Sequence, residues 1–484
     1  MSAPAVPSSP ARRTAILLLV AGAMFMENLD GTVITTAVPE MARSFGVAPL
    51  SLNIGISAYL LTLGVFIPIS GWMADRFGAR RVFAMAIFLF TFASLWCGRA
   101  ETLWEFVLLR ILQGVGGAMM VPVGRYVVLR ETPRDKLMGA LALLTWPALA
   151  APVLGPVVGG FITTYFSWRW IFYLNVPLGL IALAAVWLLL PKDAPGQKRP
   201  FDWAGFLLMG GAFFSILLSA ETLGQREADP LLAAVIAGAG VALLLLGMRH
   251  LRRVEHPMLA LDALKLKTFA VSLHGGSLFR MSVAAVPFVL PLMLQIGFGL
   301  DAFQAGLLLM AVFAGNFAMK AVSTRLLRRF GFRRMLLVSG WANVVALAAC
   351  ALFTPETPVA LMVAILFFGG LTRSMQFSAL NLVAFADVPP ERMNAANALF
   401  STVFQTAMGL GIALGAIAIR FGEMAVAAAG LSHVPAAGYR AAFLIVALVA
   451  LCSLWDALRL PASAGDTLRL PQRQPEPPRK EAAE

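Results

Sequence analysis

Long apolar runs alternate with short polar gaps along almost the whole chain. The runs fall at 15–38, 52–72, 82–98, 103–128, 137–163, 168–190, 203–222, 231–248, 269–297, 303–323, 335–353, 359–384, 394–420 and 440–460. A helix needs about 20 predominantly apolar residues to cross the hydrocarbon of a bilayer. Backbone groups in lipid must be bonded within the crossing segment, so each run is predicted to be a helix. The pattern predicts an all-α membrane protein with fourteen transmembrane helices. The first run follows Arg12 and Arg13, as a signal peptide would. It continues too far for one and lacks a small-residue cleavage site, so it is predicted to be the first crossing.

The gaps carry a repeat. Arg76-Phe77-Gly78-Ala79-Arg80-Arg81 returns 253 positions later, from 76 to 329, as Arg329-Phe330-Gly331-Phe332-Arg333-Arg334. Each copy lies in a basic gap between two apolar runs, which predicts duplicated halves, a known transporter plan. Two linkers, 191–200 and 249–267, bracket a pair of runs between the first six and the last six. The layout is therefore an N-terminal segment 1–14, a six-helix bundle 15–190, a two-helix insertion with its linkers 191–267, a second six-helix bundle 268–460, and a tail 461–484. The tail is rich in Pro, Arg and Glu and is expected to be disordered.

Composition narrows the class. Of 484 residues, 59% are hydrophobic and 13% charged, which argues against a soluble protein. The net charge of +13 invites a nucleic-acid partner. Its Lys and Arg residues instead crowd into alternate gaps, the pattern that orients membrane proteins. The expected setting is a bacterial inner membrane with both termini cytoplasmic. The expected partners are the lipid bilayer and a small-molecule substrate, with no nucleic acid, and the chain is expected to act as a monomer. Cys97, Cys350 and Cys452 show no paired spacing and read as small buried hydrophobes, and the histidines show no metal-ligand spacing. No nucleophile–base constellation or Walker-type loop appears, which disfavours an enzyme or a nucleotide-driven pump. No cofactor is expected; the proton motive force would supply the energy.

Charges within membrane spans are costly and are candidates for function. Glu27 and Asp30 lie three residues apart in the first run, on one helix face. Burial, mutual repulsion and a nearby cation can balance so that such a carboxylate exchanges a proton near neutral pH. Arg110, in the fourth run, is the candidate cation. The alternative is a permanent ion pair that fixes packing. Arg280 and Arg373 sit mid-run in the second half without an acidic neighbour. Either they face a central cavity and meet an anionic group, or they bond to carbonyls of broken helices. Lys320 and Arg125 lie near cytoplasmic ends and are expected to reach the interface. Asn28, Gln113, Trp146, Asn316 and Gln376 are candidates to line the cavity, with interhelical bonding as the alternative.

Two further motifs concern motion. Gly71, Asp75, Gly78, Arg80 and Arg81 surround the gap after the second run, where Asp75 is placed to latch one conformation. The second copy has no acid at the equivalent place. Pro152, Gly155, Pro156 and Gly159 fall within the fifth run, where proline breaks the hydrogen-bond ladder and glycine admits a close neighbour. Such a segment suits a hinge, or close packing alone.

Taken together, these stretches resemble the major facilitator superfamily. The Asp75 gap is similar to its loop signature and Arg110-Ile111-Leu112-Gln113-Gly114-Val115-Gly116-Gly117-Ala118 to its fourth-helix motif. Gly155-Pro156-Val157-Val158-Gly159-Gly160 resembles the fifth-helix motif of its antiporters. Leu29-Asp30-Gly31-Thr32-Val33 through Ala37-Val38-Pro39 resembles the first-helix signature of its fourteen-span drug:proton antiporters. The likeness spans nearly all of the chain except the tail. It implies proton-coupled export by alternating access, with Arg110 as coupling arginine, Asp75 as latch and Gly155 with Pro156 as hinge. Gly117–Arg125 narrows the likeness to a subgroup named for multidrug export, some members of which are linked to citrate or iron-citrate. Glu27 departs from that subgroup, which carries an amide there. Rival readings are therefore an organic-anion exporter and a non-transporting membrane sensor.

Overall fold

The computed structural model describes residues 10–132, 137–191, 200–224, 229–255, 257–389, 392–431, 434–461 and 464, with the side chains at 10, 137–142, 145–149 and 394 excepted. All regular structure among them is helical. In chain order the helices are α1 (Pro10–Val33), α2 (Val38–Phe45), α3 (Asn53–Phe77), α4 (Ala79–Cys97), α5 (Leu103–Glu131), α6 (Leu137–Tyr165), α7 (Trp170–Tyr173) and α8 (Asn175–Leu189). They continue with α9 (Trp203–Gly224), α10 (Pro230–Leu251), α11 (Lys267–Leu292), α12 (Ala302–Phe330), α13 (Phe332–Cys350), α14 (Val359–Phe385), α15 (Met393–Ala428) and α16 (Ala437–Leu458).

Helix lies over every one of the fourteen predicted runs. Twelve helices among the described residues are long and apolar enough to cross a membrane, short of the predicted fourteen. The other two are α6, which qualifies only as a shorter apolar helix over Ala150–Tyr165, and α13, whose first turn carries Arg333 and Arg334. Boundaries moved where polar residues compete with the helix. The first run does not stay helical to its end: a 3-10 turn at Ile34–Thr36 breaks it, and Pro39 starts the separate helix α2.

The repeated hexapeptide folds the same way twice. Gly78 ends α3 at φ 91° and Gly331 ends α12 at φ 83°. Only glycine tolerates that backbone with ease. Each glycine then starts a helix of 19 residues. The arginine two residues on closes a helix in each half: Arg80 donates to the carbonyl of Trp187 at 2.6 Å, and Arg333 to that of Leu458 at 3.0 Å. A cation at a helix C-terminus meets carbonyls that lack intrahelical partners.

The first half joins α1, α3, α4, α5, α6 and α8, and the second joins α11 to α16. The halves meet along two seams, α3 against α15 and α6 against α12. Helix α9 of the insertion lies over the α3–α15 seam, while α10 packs chiefly on α9. Both inserted helices are little buried, as elements on the outside of a bundle should be. Aromatic rings anchor the insertion, with Phe201 5.1 Å from Trp72 and Phe206 5.2 Å from Phe66. Asp202 accepts from the Gly205 amide and the Met258 amide and bonds to His250, tying α9, α10 and the following linker together. Cys97 and Cys350 are buried as expected; Cys452 is exposed, because it lies on the outward face of α16.

Candidate functional site

A cavity of about 350 Å³ lies between the halves. Helices α1, α3 and α6 form one wall, and α11, α12, α14 and α15 the other. Most of the lining is apolar, from Ile56, Leu63, Phe288, Phe313, Phe404 and Met408 among others. Asn28, Asn316, Gln405 and Pro152 also line it. An apolar pocket with a few convergent polar groups is the usual form of a small-molecule site.

Two charges enter this space from opposite halves. Glu27 reaches it from α1 and Arg373 from α14. Glu27 Oε2 and Arg373 Nε are both buried without a hydrogen-bond partner among the described residues, and the two side chains form no ion pair with each other. Arg373 is only 5% exposed.

The other acid of the first helix is elsewhere. Asp30 is sealed behind the cavity, where Arg110 Nη1 donates to its Oδ2 at 2.5 Å. Gln113 and Asn175 donate to Asp30 Oδ1 at 2.9 and 2.8 Å. Gln113 also accepts from Arg110 at 2.6 Å and donates to Ser94 at 2.7 Å. The carboxylate thus ties α1 to α5 and α8, and Ser94 of α4 joins the network through Gln113 and Asn175. Glu27 and Asp30 share a side of α1 only loosely, and the angle between them is enough to send one to the cavity and the other to the helix packing.

Tyr59 separates the two environments. Its ring lies 4.0 Å beneath the Arg110 guanidinium, its body lines the cavity, and its buried hydroxyl has no partner among the described residues. Neither Tyr59 nor Asn175 and Ser94 stands out in the sequence, since polar groups in apolar runs give no clue to partners 19 to 145 positions away.

Several predicted cavity residues lie outside it. Gln113 belongs to the sealed network. Gln376 accepts from Ser339 at 2.5 Å, joining α13 to α14. Arg280 does not line the cavity. Its Nη1 donates to the Ser272 carbonyl at 2.9 Å, and its guanidinium stacks over Phe400 and Phe404 at 4.8 and 5.1 Å. Aromatic faces attract a guanidinium, which explains how a buried arginine persists without an acid. The Trp146 side chain lies outside the described residues. Lys320 donates to Ser378 at 3.1 Å, and Arg125 is exposed.

The motion motifs are placed as follows. Asp75, Gly71 and Arg81 are exposed at the end of α3 and the start of α4, and Asp75 makes no ion pair with any described residue. Arg80 is engaged as the helix cap above and stacks on Trp187. A Cβ on Gly155 would overlap Thr32, and one on Gly159 would overlap the Val33 carbonyl, so α6 lies directly on α1. One turn around, a Cβ on Gly306 of α12 would overlap the Pro156 carbonyl. Thr164 accepts from the Phe303 amide at 3.2 Å, and Gln295 donates to the Thr36 carbonyl at 3.0 Å. The halves are closed on each other at this end, which is opposite the chain's N-terminus.

A further buried acid escaped notice at the end of its run. Glu221 of α9 is 5% exposed and faces Asn53 and Ser57 of α3, with Oε1 unpartnered among the described residues.

Comparison with known proteins agrees with this architecture. The family model of the Major Facilitator Superfamily matches residues 20–412 and 273–483. A putative multidrug resistance protein MdtD of Cronobacter sakazakii is 38% identical over 418 residues, covering 85% of this chain and 88% of that protein. Its counterpart in Pectobacterium carotovorum is 37% identical over 401 residues, covering 83% and 86%. Among solved structures, a D-xylose–proton symporter superposes with a TM-score of 0.64 at 15% identity, covering 93% of this chain and 99% of that one. A peptide transporter of the POT family gives 0.62 at 19% identity, covering 96% and 99%. Two seams, a central cavity and a repeated loop therefore stand on a shared ancestry, and the chain belongs to the major facilitator superfamily.

Proposed function

We propose that this transporter exports small molecules in exchange for protons, as a multidrug-type antiporter working by alternating access. One observation carries the reading: Glu27 stands in the central cavity as an unpaired carboxylate, backed by a sealed Asp30–Arg110 pair and divided from it by Tyr59. An unpaired acid in an apolar cavity is costly when charged. A proton or a cationic solute relieves that cost, so the two compete for one place. The similarity to multidrug resistance proteins supports the same reading.

Asp30 and Arg110 hold α1 against α5 and keep the Glu27 face turned to the cavity. The Asp75 loop and the Gly155–Pro156 contact serve as latch and hinge while the halves rock along the α3–α15 and α6–α12 seams. In this reading α6 and α13 also cross the membrane, making fourteen crossings, with both termini on the cytoplasmic side of the bacterial inner membrane. The closed end then faces outward, and the cavity is in its inward-facing state. The proton motive force drives the cycle without a cofactor, and one chain suffices. Arg280 was half the case for an organic-anion exporter, and its place outside the cavity leaves that reading without its second cation.

The test uses proteoliposomes with an imposed pH gradient. Glu27→Gln is expected to abolish proton movement coupled to export of a cationic dye while the protein stays folded. Full coupled counterflow in that variant would sink the assignment.

A further inference from the structure

We propose that the preferred cargo of the central cavity is a zwitterionic amphiphile, with an ammonium group directed to Glu27 and a carboxylate directed to Arg373. The proposal rests on the cavity being the transport site.

The argument starts from an imbalance. A guanidinium has five N–H donors and a fixed positive charge. Arg373 uses none of its donors in a hydrogen bond with a described residue, and it forms no ion pair with one. Arg280, the other buried arginine of the second half, at least has a carbonyl and two aromatic faces. Arg110 has a carboxylate, an amide oxygen and a tyrosine ring. Arg373 alone among these three lines the cavity and has neither a hydrogen bond nor an aromatic face among the described residues. Leaving a buried charge unpaired is among the most destabilising arrangements a fold can hold. Where it persists in a cavity, the missing partner is expected to arrive as ligand.

The same holds for Glu27 on the opposite wall, with the sign reversed. The two charges do not satisfy each other, and the rest of the cavity lining carries no charge: it is mostly apolar, with amides and the hydroxyls of Thr32, Thr35 and Tyr59. A purely cationic cargo answers Glu27 and leaves Arg373 bare. A purely anionic cargo does the converse and adds repulsion from Glu27. A rod-like molecule with an apolar body and opposite charges at its ends answers both at once. Its ammonium competes with the proton at Glu27, which is what exchange requires. Its carboxylate meets Arg373, which no proton need vacate.

Selectivity separates this from a general drug site. A charge-assisted contact at each end should count for about tenfold or more in affinity. Equilibrium binding to the purified full-length protein in detergent, without a gradient, is measured for three probes on one skeleton. They are a para-substituted aminomethyl-biphenyl carboxylic acid, its methyl ester, which keeps only the ammonium, and its N-acetyl derivative, which keeps only the carboxylate. The zwitterion is expected to bind at least about tenfold tighter than either derivative. In Arg373→Gln the zwitterion should fall to the level of the ester, with ester affinity unchanged, which also certifies that the variant is folded. In Glu27→Gln it should fall to the level of the N-acetyl compound. Equal binding of all three probes by the unaltered protein overturns the proposal. So does an Arg373→Gln variant that weakens ester and zwitterion alike. Because these are affinities and not fluxes, their failure is distinct from loss of coupled counterflow in Glu27→Gln.

Discussion

Arg110 and Asp30 form a 2.5 Å ion pair from which solvent is wholly excluded, and Gln113 and Asn175 complete the hydrogen bonds of the carboxylate. The carboxylate's bonds are met, whereas Arg110 bonds through Nη1 alone and rests its guanidinium on the Tyr59 ring, with Nε and Nη2 unpartnered among the described residues. This pair is therefore part of the packing of the first half, and Glu27, a turn away and unpaired, is the group free to change its charge.

The two acids should separate in stability measurements. Asp30→Asn leaves the buried Arg110 without a counter-charge, and breaking a buried pair costs about 3–5 kcal/mol. A clear drop in thermal stability in detergent is expected. Glu27→Gln removes no partner and should melt at or slightly above the temperature of the unaltered protein. Equal destabilisation by both changes would contradict the division of labour drawn here.

The glycines of the two motion motifs should differ in the same way. A side chain at Gly155 collides with Thr32 and one at Gly159 with the Val33 carbonyl, whereas Gly71 has nothing within 4 Å. Gly155→Val and Gly159→Val are expected to force α6 off α1 and to abolish transport along with monodispersity in size-exclusion chromatography. Gly71→Ala should elute as the unaltered protein does.

Gly78 and Gly331 occupy matching backbone conformations at φ 91° and 83°. A side chain in that region costs on the order of 1–3 kcal/mol. Gly78→Ala and Gly331→Ala should each lower thermal stability by a similar amount. Indifference to the change at Gly331 would mean that only the first loop depends on the shared geometry.

Asp202 links the insertion to pH. Burial works to raise its carboxyl pKa, but the Gly205 amide, His250 and the Met258 amide outweigh burial and hold it below the ordinary carboxylate value. A group with a depressed folded-state pKa contributes stability above its unfolded value and loses it as pH falls through the folded one. The unaltered protein should lose this contribution only in acid, below the usual carboxylate range. Asp202→Asn should be less stable at neutral pH and should lose less on acidification. Parallel melting curves for the two proteins across that range would show that the bonds do not discriminate between charge states.

Much of the architecture was legible along the chain because lipid leaves a long apolar run few choices. The basic gaps marked helix ends, and the recurring Phe-Gly pair marked two equivalent turns before any partner was known. The count was less secure. Runs such as 335–353 are apolar enough to be helical, yet Arg333 and Arg334 at the head of α13 leave little margin by length and composition. Glu221 was missed because it sits where an apolar run gives way to a polar gap, and only its burial against α3 distinguishes it from a surface acid.

The order of residues alone determined that helices form, roughly where they lie, that one basic loop recurs, and that acids and arginines are enclosed among them. It did not determine which acid met which arginine. Asp30 and Glu27 differ by three positions, and their fates diverge because α1 presents one to α5 and α8 and the other to the space between the halves. Arg280 and Arg373 look alike in sequence, yet one lies on the rings of Phe400 and Phe404 and the other faces the cavity. Such distinctions depend on the rotation of each helix about its own axis. That rotation is set by the packing of every neighbour at once, so no local stretch encodes it.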